Sequence, residues 1–222
     1  MSTRMTPQQL APYLDAQARV NMERGGRYAF LLALAMSIPC TVLLAAGQDF
    51  FRLPLAFGVL AMGFTGAFTR MARRGVLRGV ALHVMFALLA FLPTWLGIFS
   101  HVLLPGGAAT FITGPISALY LFVVFVSGFA FRPSLSLLCG GTAAVGYLSW
   151  YALARDGLMA TSHPDATFLE DLQSPVIHGL KAMLLVFAGV LAGGISSVSR
   201  ALLERALHEE HEKQGLSRLF GQ

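Results

Sequence analysis

Six apolar runs follow one another along the chain, each near the roughly 20 residues with which a helix crosses about 30 Å of hydrocarbon. Polar connections or turn signals separate them, as at residues 48–52, 70–74 and 105–107. The runs predict spans at residues 28–47, 53–69, 76–104, 109–131, 134–153 and 176–198. We therefore predict an all-α polytopic membrane protein, with a six-transmembrane-helix bundle occupying residues 28–199.

The N-terminal segment, residues 1–27, is polar and precedes the first run. Thr6 before Pro7, with Gln9 three residues after the threonine, is typical of a capped helix start. Apolar residues then recur at helical spacing, which predicts a cytoplasmic amphipathic helix lying on the membrane surface. A solvated helix with a packing stripe is the alternative. We expect no cleavable signal peptide, because the polar stretch lacks the required pattern.

The last apolar run continues into a polar helical pattern without a turn signal between them. This pattern predicts one helix that leaves the membrane and enters water. We expect residues 200–222 to form a cytoplasmic linker helix toward an effector domain that is missing from this sequence.

Composition supports a membrane location, because 55% of the residues are hydrophobic and only 12% are charged, against about 25% charged in soluble domains. Mean hydropathy is +0.65. The formal net charge of +5 does not indicate nucleic-acid binding, because the basic residues form short clusters beside apolar runs. Such clusters are typical of topology signals.

Charge also predicts the orientation of the bundle. With six spans, most of the 16 basic residues fall on the face that carries both termini. The opposite face keeps only Arg52, Arg155 and Lys181. By the positive-inside rule, both termini are cytoplasmic in a multi-pass protein of the cell inner (plasma) membrane.

Some residues within the runs have default interpretations. Cys40 and Cys139 lie in apolar surroundings and are expected to be small buried side chains, not a disulfide. Tyr147, Trp150 and Tyr151 close the fifth run, which predicts an aromatic belt at the membrane interface.

A search for catalytic motifs is negative. The sequence contains no phosphate-binding loop, zinc-protease motif, CxxC pair or nucleophile elbow. The span centres carry almost no ionisable residues, which also argues against a proton-coupled transporter. His83 is interpreted as a hydrogen-bonded packing residue. We assign no catalytic residue and no cofactor to this chain.

Ionisable residues gather instead at the predicted exoplasmic face. Imidazoles and carboxylates there suit a divalent cation such as zinc or manganese, and the lysine suits an anionic ligand. His178 and Lys181, three residues apart, share a helix face. A solvated loop with snorkelling side chains is the alternative, and the identity of any metal stays open. The candidate residues are His101, His163, Asp165, Glu170, Asp171, His178 and Lys181.

Small residues in the sixth run predict a close helix contact. Gly189 and Gly193 are four residues apart, which lets helices approach in lipid. Ile195, Val198 and Leu202 then follow a heptad spacing that fades toward Arg205 and Glu209. A short parallel homodimer contact is predicted, although the glycine contact could also lie within one chain.

The run from Arg200 to Arg205, followed by Leu216-Ser-Arg-Leu-Phe-Gly-Gln222, resembles the end of the membrane half of bacterial class III adenylate cyclases. The six-span architecture is also similar. The resemblance implies a homodimer whose sixth helix regulates a cytoplasmic domain that makes cyclic AMP from ATP with Mg or Mn. No catalytic residue of that family has a counterpart in this sequence.

The expected partners are membrane lipid, a second copy of the chain and its own effector domain. A small extracellular or lipophilic ligand is a further expectation, and nucleic acid is not. Three alternatives stay open: the sensor domain of a histidine kinase or diguanylate cyclase, a small transporter or channel, and a purely structural anchor.

Overall fold

The fold was analysed in a computed structural model that describes residues 7–104, 107–112, 118–161 and 166–220. The described residues form α-helices and two 3-10 turns, at Asp49–Phe51 and Gly128–Ala130, without a β-strand. The helices are α1 (Pro7–Ala45), α2 (Arg52–Arg73), α3 (Gly79–Leu103), α4 (Ala109–Ile112), α5 (Leu119–Ser127), α6 (Pro133–Met159), α7 (Ala166–Gln173) and α8 (Pro175–Phe220).

Within the described part of the chain, five helices are long and apolar enough to cross a membrane: α1, α2, α3, α6 and α8. This confirms an all-helical, membrane-embedded protein, whereas the predicted span at residues 109–131 is described only in part. Within this range the structure describes α4, α5 and a 3-10 turn, and residues 113–117 lie outside the described part of the chain. The six-span count therefore stays a prediction.

The N-terminal region differs from expectation. The predicted surface helix and the first span belong to one helix of 39 residues, α1, which contains Pro12 and Pro39. Ser37 and Thr41, beside the second proline, donate side-chain hydrogen bonds to carbonyls one turn earlier in the helix. Such bonds are among the compensations that let membrane helices tolerate proline.

Helices α3 and α6 run parallel to each other. The Cys139 Sγ lies 3.6 Å from the carbonyl oxygen of Phe86, and Gly97, farther along α3, packs against Trp150, farther along α6. Helix α8 is antiparallel to α6. The chain between α3 and α6 therefore returns along the bundle.

Two ends of the bundle can be distinguished by their side chains. Arg78 and Arg132 line one shared pocket, and Arg132 and Arg200 line another; we call this the basic end. Asp15 near the start of α1 accepts a hydrogen bond from Arg132 at 3.0 Å, which holds the start of α1 at the basic end. The histidine of α8 described below lies toward the opposite end.

The core lies between α3, α5, α6 and α8. Trp150, Tyr120, Leu96 and Leu135 are completely buried there. Helix α1 is peripheral, since only 6% of its most apolar 18-residue stretch is buried inside the protein. Large apolar side chains exposed along α1 and α8 are consistent with lipid contact.

Candidate functional site

A histidine is buried at the beginning of α8. Pro175 occupies the first turn, where its missing N–H costs nothing, and His178 follows within one turn with 1% of its surface exposed. Helix α6 supplies two aromatic neighbours, Tyr147 and Tyr151. A polar ring this deep requires hydrogen bonds for both nitrogens.

Both nitrogens of His178 have a partner. Nε2 lies 2.9 Å from the carbonyl oxygen of Leu172, and Nδ1 lies 2.7 Å from the hydroxyl of Tyr147. Because a carbonyl can only accept, Nε2 carries the hydrogen and donates it. Nδ1 of the neutral ring then accepts from the Tyr147 hydroxyl. The imidazole thus joins α8, α6 and the end of α7.

Stacking and a glutamine reinforce this junction. The rings of Tyr151 and His178 stack with centroids 4.0 Å apart and planes inclined by 21°. The Tyr151 hydroxyl donates to the carbonyl of Gln173 at 3.3 Å, and the Gln173 amide donates to the carbonyl of Leu158 at 2.9 Å. The start of α8 is therefore fixed against the end of α6.

The contacts continue across the bundle. Tyr120 of α5 meets Tyr147 edge to face, with centroids 6.0 Å apart, and its hydroxyl lies 2.6 Å from the Thr94 hydroxyl of α3. The Trp150 indole donates to the carbonyl of Ala108 at 2.9 Å. We call this set the aromatic network: Thr94, Tyr120, Tyr147, Trp150, Tyr151 and His178. It connects α3, α5, α6 and α8 through buried polar and ring contacts.

The aromatic network replaces part of the predicted interfacial belt. Trp150 is completely buried and Tyr147 is 3% exposed, so neither lies at a lipid interface. The helical spacing of residues 147, 150 and 151 placed them on one face of α6, and that face is covered by neighbouring helices. The signal available in the sequence was this spacing together with a histidine in the next long helix.

The residues predicted to form an exoplasmic site differ in their solvent exposure. His101, Glu170, Asp171 and Lys181 are exposed, whereas His178 is buried; His163 and Asp165 lie outside the described residues. Within the described ranges, no three His, Cys, Asp or Glu residues group as metal ligands would. Metal binding at His178 would require one of its two hydrogen bonds to break. The cation site stays a prediction.

The predicted contact residues of α8 divide into two sets. Gly189 faces α6 of the same chain, where a Cβ atom would lie 2.9 Å from the Cα of Gly140. Gly193 is also buried, near Pro133. Ile195, Val198 and Leu202 have between 49% and 60% of their surface exposed. The exposed stripe is open to lipid or to a second chain, and the homodimer stays a prediction.

A separate cavity lies nearer the basic end, between α1, α2, α3 and α5. Its volume is about 350 Å³, within the usual size of small-molecule sites. Arg24 and Asn21 supply polar groups. Its apolar lining includes Phe68, Phe86, Leu89, Phe122 and Val126. No motif could reveal this cavity in the sequence, because four separate helices contribute to it.

Comparison with known proteins adds no relative. No protein family, curated protein or solved structure matches this chain.

Proposed function

We propose that this chain is a membrane-embedded regulatory domain in which α8 carries conformational changes from the aromatic network to its polar segment beyond Val198. The observation that carries the proposal is the continuity of α8, a helix of 46 residues. At about 1.5 Å per residue, its length is roughly 69 Å, more than twice the hydrocarbon thickness. A displacement at its buried end therefore reaches its water-exposed end.

Two contacts suit α8 to this role. The hydrogen bonds of His178 fix its start, and farther along it meets α6 at Gly189, where the two backbones are in contact. A backbone contact between glycines restrains separation more than rotation or sliding. Such a helix can adopt two arrangements, and a ligand that binds one of them better shifts the population.

The ligand in this proposal is a small lipophilic molecule in the cavity between α1, α2, α3 and α5. The cavity borders Phe86 and Val126, on the two helices that also hold Thr94 and Tyr120. Occupation of the cavity can therefore bias the aromatic network. Leu89→Trp, which would fill the cavity, should abolish a response to the ligand, whereas Val145→Trp on an exposed face should leave it intact.

The proposed effector is a class III adenylate cyclase domain acting on ATP with Mg or Mn. The support is the resemblance at residues 200–205 and 216–222. In the same proposal, the chain crosses the inner membrane six times with both termini cytoplasmic. The parallel α3 and α6, together with α5 between them, favour a sixth crossing, and the clustering of arginines at the basic end favours the orientation.

Cyclic AMP formation in membranes tests the effector. The complete reading frame that contains these residues should make cyclic AMP from ATP, and removal of residues 7–199 should alter the rate. If the protein makes no cyclic AMP but has histidine kinase or diguanylate cyclase activity, this chain would instead be the regulatory domain of an enzyme of that class. Solute flux through the purified protein in liposomes, without any such activity, would instead favour a transporter or channel.

Helical phase tests the transmission. One alanine inserted after Arg205 rotates the following residues by about 100°, whereas seven alanines restore the face to within about 20°. The activity should change with one inserted residue and return toward the original value with seven. If both variants kept the activity of the protein without insertions, α8 would be only a tether.

A further inference from the structure

A groove between α1 and α2 gathers four arginines near the basic end of the bundle. It has a volume of about 680 Å³. Phe30, Leu31 and Gly66 line it toward the apolar part of the helices. We call it the arginine groove, after Arg27, Arg70, Arg73 and Arg74.

One carboxylate offsets only part of this charge. Glu23 pairs with Arg27 and with Arg73, whose Nε lies 2.9 Å from the Glu23 Oε1. Arg70 and Arg74 have no acidic partner within the described part of the chain, and both are exposed. The groove therefore carries a formal surplus of three positive charges, which an anion can offset.

The groove lies where polar surface gives way to apolar surface. On α1, Phe30 and Leu31 follow Arg27 within about one turn and are 36% and 55% exposed. On α2, the apolar stretch ends at Arg70. Antiparallel packing, with Gly26 against Thr69, brings these two boundaries to the same level. In the orientation proposed above, which makes the basic end cytoplasmic, this level is that of the inner-leaflet headgroups.

We propose that the arginine groove binds an anionic phospholipid, with its phosphate between Arg70 and Arg74 and an acyl chain along Phe30. Guanidinium groups bind phosphate oxygens through paired hydrogen bonds. Gly66 leaves room for the chain, since a Cβ there would still be 3.9 Å from the Phe30 ring. A soluble phosphate would use the arginines alone and would gain nothing from the apolar part.

Lipid retention tests the site. The 222-residue chain is purified from membranes containing phosphatidylglycerol and cardiolipin, and bound lipid is counted by native mass spectrometry. Arg70→Gln with Arg74→Gln should weaken retention of anionic lipid about thirtyfold. The charge-matched control, Arg78→Gln with Arg205→Gln, changes two exposed arginines outside the groove and should retain lipid like the unsubstituted chain.

A second pair of variants tests the acyl part without altering charge. Gly66→Leu fills the groove and should lower retention, whereas Gly63→Leu on the same helix has no neighbour within 4 Å and should not. Circular dichroism establishes that each variant is folded.

Three results would overturn the proposal. They are unchanged retention in the Arg70/Arg74 variant, an equal loss in the Arg78/Arg205 control, and equal retention of phosphatidylcholine and anionic lipid. Loss in the arginine variant with no effect at Gly66, together with competition by inorganic phosphate, would identify a phosphate site and reject the lipid assignment.

Discussion

Gly140 of α6 and Gly189 of α8 bring two helix backbones into contact. A Cβ atom on Gly140 would lie 2.8 Å from the Cα of Gly189, and one on Gly189 would lie 2.8 Å from the carbonyl oxygen of Ser136. Both neighbours are backbone atoms, which cannot rotate away. Close approach of this kind is how small residues stabilise helix pairs in lipid, and here it joins helices of one chain.

Gly189→Ala should therefore destabilise the bundle. The added methyl group forces α6 and α8 apart, and overpacking of this kind costs about 1–3 kcal/mol. The measurement is thermal or denaturant-induced unfolding in detergent micelles, followed by helical circular dichroism.

The matched control is Gly194→Ala on the same helix. A Cβ there meets nothing within 4 Å, so the substitution should be neutral or stabilising by up to about 1 kcal/mol through helix propensity. If both variants unfold alike, the glycine contact does not hold the helices together.

Tyr147→Phe should loosen the start of α8. The substitution keeps the ring but removes the hydroxyl that bonds the Nδ1 of His178, which leaves a buried acceptor without a partner. Losing a hydrogen bond between helices in a membrane costs less than losing a buried hydrogen bond in a soluble protein. We therefore expect a cost of about 1 kcal/mol. Ser149→Ala, which removes an exposed hydroxyl bonded within its own helix, should have no such effect.

Proteolysis adds a local measurement to the same prediction. Residues near Gln173 should become more accessible to protease in Tyr147→Phe, because the network holds this connection against α6. Unchanged accessibility and unchanged unfolding would mean that the His178 hydrogen bonds do not secure α8.

The apolar runs of the sequence were sufficient to predict a helical membrane protein, because the backbone N–H and C=O groups of each span must form hydrogen bonds within that span. They were insufficient for α1, where nothing in the pattern distinguishes a surface helix from a continuation of the span. For residues 109–131, part of which lies outside the described residues, the predicted crossing stays a prediction.

The site was predictable only in part. His178 stood out as an ionisable residue at a span end, but its partners Tyr147 and Leu172 lie 31 and 6 residues away. Their convergence depends on the packing of α6, α7 and α8, which local spacing does not encode. For the same reason, the sequence marked Gly189 as a contact without identifying its partner.

Glu23→Gln should strengthen lipid binding in the arginine groove. The substitution removes the carboxylate that competes for Arg27 and Arg73, and one charge near the headgroups corresponds to about fivefold tighter retention. Stability should fall by less than about 1 kcal/mol, because both ion pairs are partly solvated. Native mass spectrometry of bound lipid measures the change.

Glu204→Gln is the control for Glu23→Gln, since it also breaks an arginine pair, with Arg200, but lies outside the groove. It should leave lipid retention unchanged. Equal gains in both variants would point to overall charge, and no gain for Glu23→Gln would argue against competition within the groove.

Disulfide cross-linking in membranes examines whether α8 pairs with a second copy. With Cys40 replaced by Ser and Cys139 by Ala, Val198→Cys should give a cross-linked dimer under mild oxidation. Val198 is 60% exposed on α8, whereas Ser196, two residues away, is fully buried; Ser196→Cys should therefore remain monomeric.

The exposed stripe makes this test decisive for the α8 dimer. A parallel pair would place Val198 and Leu202 of each copy near the common axis, within the short Cα separation that a disulfide requires. Cross-linking at both positions would support a dimer through α8. Absence of cross-links at both positions, together with cross-linking from a cysteine introduced on the exposed face of α1, would move the interface to α1 and leave residues 198–202 of α8 facing lipid and water.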